Sequence, residues 1–201
     1  MLKIKFLFLY ILYMYSLFCY TRALIDKTID YITYTGESDT MDRIFSEKRS
    51  AISSAISLYT DATQILPNIY LGNIYNARNY YKLVDMRIGL VVNCTEEVAD
   101  YFPDRFRYIR APIRDSSGSS ILDYADIIAD IVYNYLKENP TKSVLFHCYM
   151  GSSRSTSFLL AYLVKYMDMD LDSAIKYVKQ LRPIININSC FYRELKEIYE
   201  K

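Results

Sequence analysis

Beyond residue 60 the sequence predicts a single α/β domain, with a central and mostly parallel sheet flanked by helices and an anion-binding loop between a core strand and a helix. Two observations predict it. Short apolar runs, chiefly residues 88–94 (IGLVVNC) and 143–146 (SVLF), alternate with longer stretches in which apolar residues recur at helical spacing, the pattern of strands buried on both faces by intervening helices. The second run leads into residues 147–155, HCYMGSSRS, a small-residue loop that opens the next helical stretch. Of the 201 residues, about 140 lie beyond residue 60, enough for one α/β core.

Residues 41–59 place Ile44, Phe45, Ala51, Ile52, Ala55, Ile56 and Tyr59 at helical spacing, an amphipathic leading helix within 41–60, ahead of the domain proper at 61–201. A strand is expected near 69–71, a helix across 77–84 and a strand over 88–94. Tyr108, Ile109, Ala111, Pro112 and Ile113 make a further short apolar strand. Ser120 is the expected cap of a long helix whose face runs Ile121, Ala125, Ile128, Val132 and Tyr135, and which stops before Pro140. After the 143–146 strand and its loop, Phe158, Leu159, Tyr162, Leu163 and Tyr166 define another helix. Asp170 is the expected N-cap of a helix over 171–181, stopped by Pro183, and a helix over 189–199 closes the domain. The chain carries no internal repeat and no long low-complexity linker.

Composition narrows the function. A net charge of +1 with scattered charges leaves no electrostatic footprint for nucleic acid. The 22 tyrosines, with no tryptophan, read as compositional bias rather than a cofactor box. His147 is the only histidine, which excludes multi-histidine metal sites and any Ser-His-Asp triad elsewhere in the chain. Neither metal nor cofactor is expected.

The loop carries the chemistry. Five residues separate Cys148 from Arg154. Between them the backbone N–H groups of residues 149–154 can converge on an anion at the positive end of the following helix, and a phosphate dianion fits there. The same field, with the Arg154 guanidinium, favours the thiolate form of Cys148 and makes it a nucleophile near neutral pH. Arg154 can grip two phosphate oxygens with its planar fork, more tightly as charge spreads in the transition state, and lysine has no equivalent geometry. Gly151 removes bulk where backbone must approach the phosphate, and Ser155 can donate a hydrogen bond to the departing thiolate. His147, one residue earlier on the strand, points to the opposite face and is expected to orient the loop by hydrogen bonding rather than act as a base.

HCYMGSSRS resembles the signature loop of the cysteine-dependent protein phosphatases, and its ending, Gly151 to Ser155, is similar to the dual-specificity branch. Other segments extend the resemblance. Residues 66–73 (LPNIYLGN) resemble that branch's opening strand, 88–95 (IGLVVNCT) its next core strand, 111–115 (APIRD) its acid-loop approach, and 182–188 (RPIININ) the stretch before its last helix. Together they cover about residues 65–201. The resemblance implies a phosphatase acting on phosphotyrosine and phosphoserine or phosphothreonine of protein partners through a cysteinyl-phosphate. In it Tyr149, Met150, Gly151, Ser152 and Ser153 form the phosphate loop and Asp115 is the general acid. The residues themselves suit Asp115, which follows a strand and begins the Ser/Gly loop 116–120; Asp123 and Asp126, inside the next helical pattern, are the alternatives.

Two other activities stay open in the same superfamily. A phosphoinositide or RNA 5'-phosphatase commonly carries extra basic residues in the loop, and Tyr149, Met150, Ser152 and Ser153 supply none. An idle phosphoprotein-binding module commonly lacks the cysteine or arginine, and both are present. Cys94 ends a core strand at the sheet edge that carries the Cys148 loop; it is either a resolving thiol for oxidised Cys148, a pairing some members of the resembled family use, or a small buried residue. Cys19 and Cys190 are read as inert.

Residues 1–40 are a hydrophobic segment of a different kind. Lys3 and Lys5 precede an apolar run from Phe6 to Tyr20 broken only by Ser16, the order of a secretory signal or signal anchor. As a helix that run rises about 22 Å, short of the roughly 30 Å hydrocarbon core. Positive-inside insertion would send the domain outward, where an exposed thiolate meets disulfide-forming conditions. The expectation is therefore a cytosolic catalytic domain, with translation beginning at Met41 or with membrane association through residues 6–20.

Overall fold

The computed structural model describes residues 61–116 and 118–200. The leading helix expected over 41–59 and the apolar run from Phe6 to Tyr20 lie outside the described residues. Five strands form one sheet: β1 (Thr63–Leu66), β2 (Ile69–Gly72), β3 (Ile88–Asn93), β4 (Arg107–Arg110) and β5 (Ser143–His147). Their order is β1-β2-β5-β3-β4, with β1 and β2 an antiparallel hairpin and the other pairings parallel. Among the described residues six helices surround it: α1 (Ile74–Ala77), α2 (Tyr80–Asp85), α3 (Leu122–Glu138), α4 (Arg154–Tyr166), α5 (Leu171–Leu181) and α6 (Ser189–Tyr199).

The pleat sorts the central strands between two layers. Leu90, Val92, Val144 and Phe146 pack with α3, α4, α5 and α6, whereas Val91 and Leu145 pack on the other face with Ala77, Leu83 and Phe106. Because β3 and β5 are covered on both sides, they read as continuous apolar runs rather than alternating ones. This is the architecture expected from the sequence, and it brings the ends of β3 and β5 to one sheet edge. No helix among the described residues is long and apolar enough to cross a membrane.

Several boundaries differ from expectation for identifiable reasons. The single helix expected over 77–84 is two, separated at Arg78 and Asn79. Asn73 caps the first, its Oδ1 accepting from Tyr75 N at 2.9 Å and Asn76 N at 3.0 Å, and Asn79 caps the second through Lys82 N at 3.2 Å. Each asparagine starts a fresh helix by satisfying N–H groups that a continuous helix would have used internally. The long helix α3 is not capped at Ser120; the cap position is Ile121. Glu194 of α6 accepts from Ile121 N at 2.7 Å, and Ser120 Oγ accepts from Leu122 N at 3.2 Å. A carboxylate from a distant helix thus sits on the positive end of α3. β4 stops at Arg110, short of Ile113, because Pro112 offers no N–H and Ile113 N turns back to Ala111 O at 2.7 Å. Asp170 caps α5 as expected, accepting from Ser173 N at 2.8 Å.

Candidate active site

Residues 148–153 form the turn from β5 into α4, and the carbonyls of residues 149–152 are engaged by groups outside the turn. Tyr149 O accepts from Ile74 N at 3.2 Å, Gly151 O from Arg182 Nε at 2.8 Å and Ser152 O from Asn186 N at 3.0 Å. Met150 O lies 3.5 Å from Arg182 Nη2. In a trans peptide the next N–H points opposite to the carbonyl. Tying these carbonyls outward therefore turns the N–H groups of residues 150–153 toward a common centre at the N-terminus of α4, an anion cradle. Gly151 N donates to Cys148 Sγ at 3.2 Å. Gly151 has φ 67°, and a Cβ there would lie 2.4 Å from Gly72 O, so no other residue fits the turn.

Cys148 sits at the bottom of this cradle, 1% exposed. Besides Gly151 N, its sulfur accepts from Ser155 Oγ at 3.2 Å, and both donors suit a thiolate. Arg154 is the first residue of α4. Its Nη1 donates to Glu97 at 2.9 Å and to Ile113 O at 3.0 Å, while Nε is buried with no hydrogen-bond partner. One nitrogen is thereby fixed from behind, while the unpartnered Nε lies 4.0 Å from Asp115 Oδ2. The backbone just after Glu97 is tied to the ends of β3 and β4. Asn93 Nδ2 donates to Val98 O at 2.9 Å and to Asp100 at 2.8 Å, and Arg110 Nη2 donates to Val98 O at 3.0 Å.

Asp115 reaches the cradle's rim. Its Oδ1 accepts from Ser153 Oγ at 2.9 Å and Asn188 Nδ2 at 3.3 Å, and its Oδ2 lies 4.0 Å from Arg154 Nε. Asp126, an alternative on sequence grounds, is on α3 and pairs with Lys165 at 2.7 Å; Asp123 lies in the first turn of the same helix. The structure thus brings together Cys148, Arg154, Ser155, Asp115 and the loop residues 149–153, with Tyr149 and Met150 exposed at the mouth.

His147 lies at the end of β5 on the face opposite Phe146, 1% exposed, and its Nδ1 finds no hydrogen-bond partner among the described residues. Burial lowers its pKa from 6.5 to about 4, against an opposing contribution from the Cys148 backbone. His147 is therefore neutral at pH 7. The unfolded chain binds a proton there that the folded chain refuses, so this contribution to stability is complete above about pH 6.5 and declines as pH falls toward 4, by up to roughly 3 kcal/mol. Urea titrations between pH 7 and pH 4.5 should show it as a falling midpoint, with the decline shallower in His147→Asn.

Cys94 follows β3 directly. The register pairs Asn93 with His147, and Cys94 N donates to His147 O at 2.9 Å, so Cys94 and Cys148 are equivalent positions on adjacent strands and share one face. Burial first, and the neighbouring Cys148 second, push the Cys94 thiol well above its ordinary range. Among the described residues no group of three or more His, Cys, Asp or Glu is placed to hold a metal ion.

A family model, dual specificity phosphatase, catalytic domain, matches residues 69–201. The chain belongs to the dual specificity phosphatase family. Human dual specificity protein phosphatase 21 is 37% identical over 134 residues, covering 66% of this chain and 69% of that protein. Mouse protein phosphatase Slingshot homolog 3 is 33% identical over 135 residues, 67% of this chain but 20% of its own length, so the chain spans about a fifth of that relative. The crystal structure of human DUSP28 shares the fold with a TM-score of 0.65 at 22% identity, over 69% of this chain and 95% of that one. Within this domain, sequence reasoning missed Glu97 and gave Arg182 no role. Arg182 is fully buried beneath the loop, bonded to Gly151 O and, at 3.0 Å, to Thr63 Oγ1. The available signal for Glu97 was an acidic residue just past the end of a core strand, at the edge where the loop sits.

Proposed function

We propose that the chain hydrolyses phosphotyrosine and phosphoserine or phosphothreonine in proteins through a cysteinyl-phosphate at Cys148. The observation that carries this reading is the ring of loop carbonyls drawn outward around a buried cysteine, which leaves N–H groups and the Arg154 fork facing one phosphate-sized centre. The Cys148 thiolate attacks phosphorus and forms the S–P bond as the P–O bond to the side chain breaks, and Asp115 gives its proton to the leaving oxygen. Asp115, now a carboxylate, takes a proton from the water that attacks the cysteinyl-phosphate, and Ser155 steadies the departing thiolate. Arg154 and the N–H groups of residues 150–153 hold the equatorial oxygens. His147, neutral and buried, orients the strand end and takes no proton. The loop's lack of basic side chains at Tyr149, Met150, Ser152 and Ser153 supports protein substrates over polyphosphorylated lipids or RNA ends.

Matched phosphotyrosine and phosphothreonine peptides test this. Release of phosphate from both is expected; release only from phosphoinositides or RNA 5'-ends would overturn the protein reading. Asp115→Asn should lower kcat on the peptides by about 10²–10³-fold, and by much less on an aryl phosphate whose leaving group departs without a proton. Equal losses on both substrates would remove Asp115 from the role.

We infer further that Cys94 protects the nucleophile. Peroxide converts the Cys148 thiolate to a sulfenic acid with release of hydroxide, and attack by the Cys94 sulfur then forms the disulfide as water leaves. Adjacent register and a shared face support the pairing. Peptide mapping after mild peroxide should recover a 94–148 bridge; Cys148 sulfinic acid with no bridge would defeat the idea. Thiolate chemistry of this kind suits a reducing compartment, and we place the catalytic domain in the cytosol on that ground.

A further inference from the structure

Beside the phosphate cradle lies a cavity of about 490 Å³, between Asp115 and the loop on one side and residues 184–188 on the other. Its polar groups are mostly committed to one another. Ser152 Oγ donates to Ile184 O at 2.8 Å, and Ser153 Oγ donates to Asp115 while accepting from Asn188 N at 3.1 Å. The Asn188 side chain is divided between Asp115 and Cys190 N. What remains for an occupant is the Asn186 amide and the side chains of Met150, Ile184 and Ile187, with Met150 49% exposed.

Among the described residues no cation lines this cavity: Arg114, next to Asp115, pairs with Glu96, and Arg154, next to Ser153, belongs to the cradle, its Nη1 tied to Glu97 and Ile113 O and its Nε 4.0 Å from Asp115. Arg182 is buried beneath the loop, and Lys179 Nζ donates to Ile185 O at 2.6 Å. The one ionisable group in the lining is Asp115, an acid that offers no positive partner to a second phosphate or an acidic side chain.

Building on the phosphatase reading, we propose that this cavity receives an uncharged, apolar side chain flanking the phosphorylated residue, so that the preferred substrates are singly phosphorylated and apolar beside the phosphoresidue. Such a side chain covers Met150, Ile184 and Ile187 and asks nothing of the committed hydroxyls and amides. A flanking phosphate would lose its hydration and gain only the neutral Asn186 amide in return.

The test is kcat/KM of the full chain on phosphotyrosine peptides that differ only in the flanking residues, which are leucine, aspartate or phosphothreonine, with p-nitrophenyl phosphate as a reference that reaches only the cradle. Leucine peptides should exceed the aspartate and phosphothreonine peptides by about tenfold or more. Ile187→Arg should lower the leucine-to-phosphothreonine ratio by at least as much, and Ile187→Leu should restore it. Turnover of p-nitrophenyl phosphate with equal rates on all three peptides, or a preference for the doubly phosphorylated one, overturns the subsite alone. No turnover of any substrate defeats the phosphatase reading and the subsite with it.

Discussion

Cys148→Ser is expected to lower kcat by at least about four orders of magnitude while leaving phosphopeptide binding largely intact. Serine keeps the shape of the side chain at the cradle's base but remains a neutral hydroxyl at pH 7, a far weaker nucleophile than a thiolate. Nothing that cradles the phosphate is removed: the outward-tied carbonyls, the Gly151 turn and Arg154 with its Glu97 anchor do not depend on sulfur. Phosphate release and phosphopeptide titration of the same variant check both halves. Residual turnover above about one part in a hundred would place the nucleophile elsewhere.

Arg154→Lys should cost about 10²–10³-fold in kcat/KM, with most of the loss in kcat. Formal charge is unchanged, so the loss isolates geometry. The guanidinium bonds Glu97 and Ile113 O through Nη1 and, in the proposed mechanism, presents a second edge to phosphate. An ammonium is a compact donor that cannot hold a rear anchor and a two-point grip at once. Steady-state kinetics on a phosphotyrosine peptide check this. Glu97→Gln, which keeps a hydrogen-bond acceptor behind Arg154, should lose less than Glu97→Ala. Equal activity of Arg154→Lys and the wild type would mean that charge alone suffices.

The parts of this molecule that were readable from its residues are those set by local pattern. β3 and β5 announced themselves as apolar runs because both faces are covered, and Asp170 marked the start of α5 because a cap acts within its own turn. The loop was readable because Cys148, Gly151, Arg154 and Ser155 lie within eight consecutive positions. What escaped was contributed from a distance. Glu194 caps α3 across 73 positions and Glu97 anchors Arg154 across 57, and no periodicity encodes such pairs. The break at Arg78 and Asn79 was hidden for a different reason: apolar spacing continues through it, and only the asparagine caps end one helix and begin the next.

Arg182 bonds both to the carbonyl of Gly151 and to Thr63, at opposite reaches of the domain's sequence. The segment matched by the family model starts at residue 69, beyond Thr63 and the whole of β1. A piece trimmed to that match would keep every residue of the cradle, yet leave a buried guanidinium short of a partner, at a cost of about 1–3 kcal/mol, directly beneath the turn that shapes the site. The smallest piece that keeps the bond between Arg182 and Thr63 therefore extends upstream of the segment the family model matches, and the edge hairpin is part of what supports the turn.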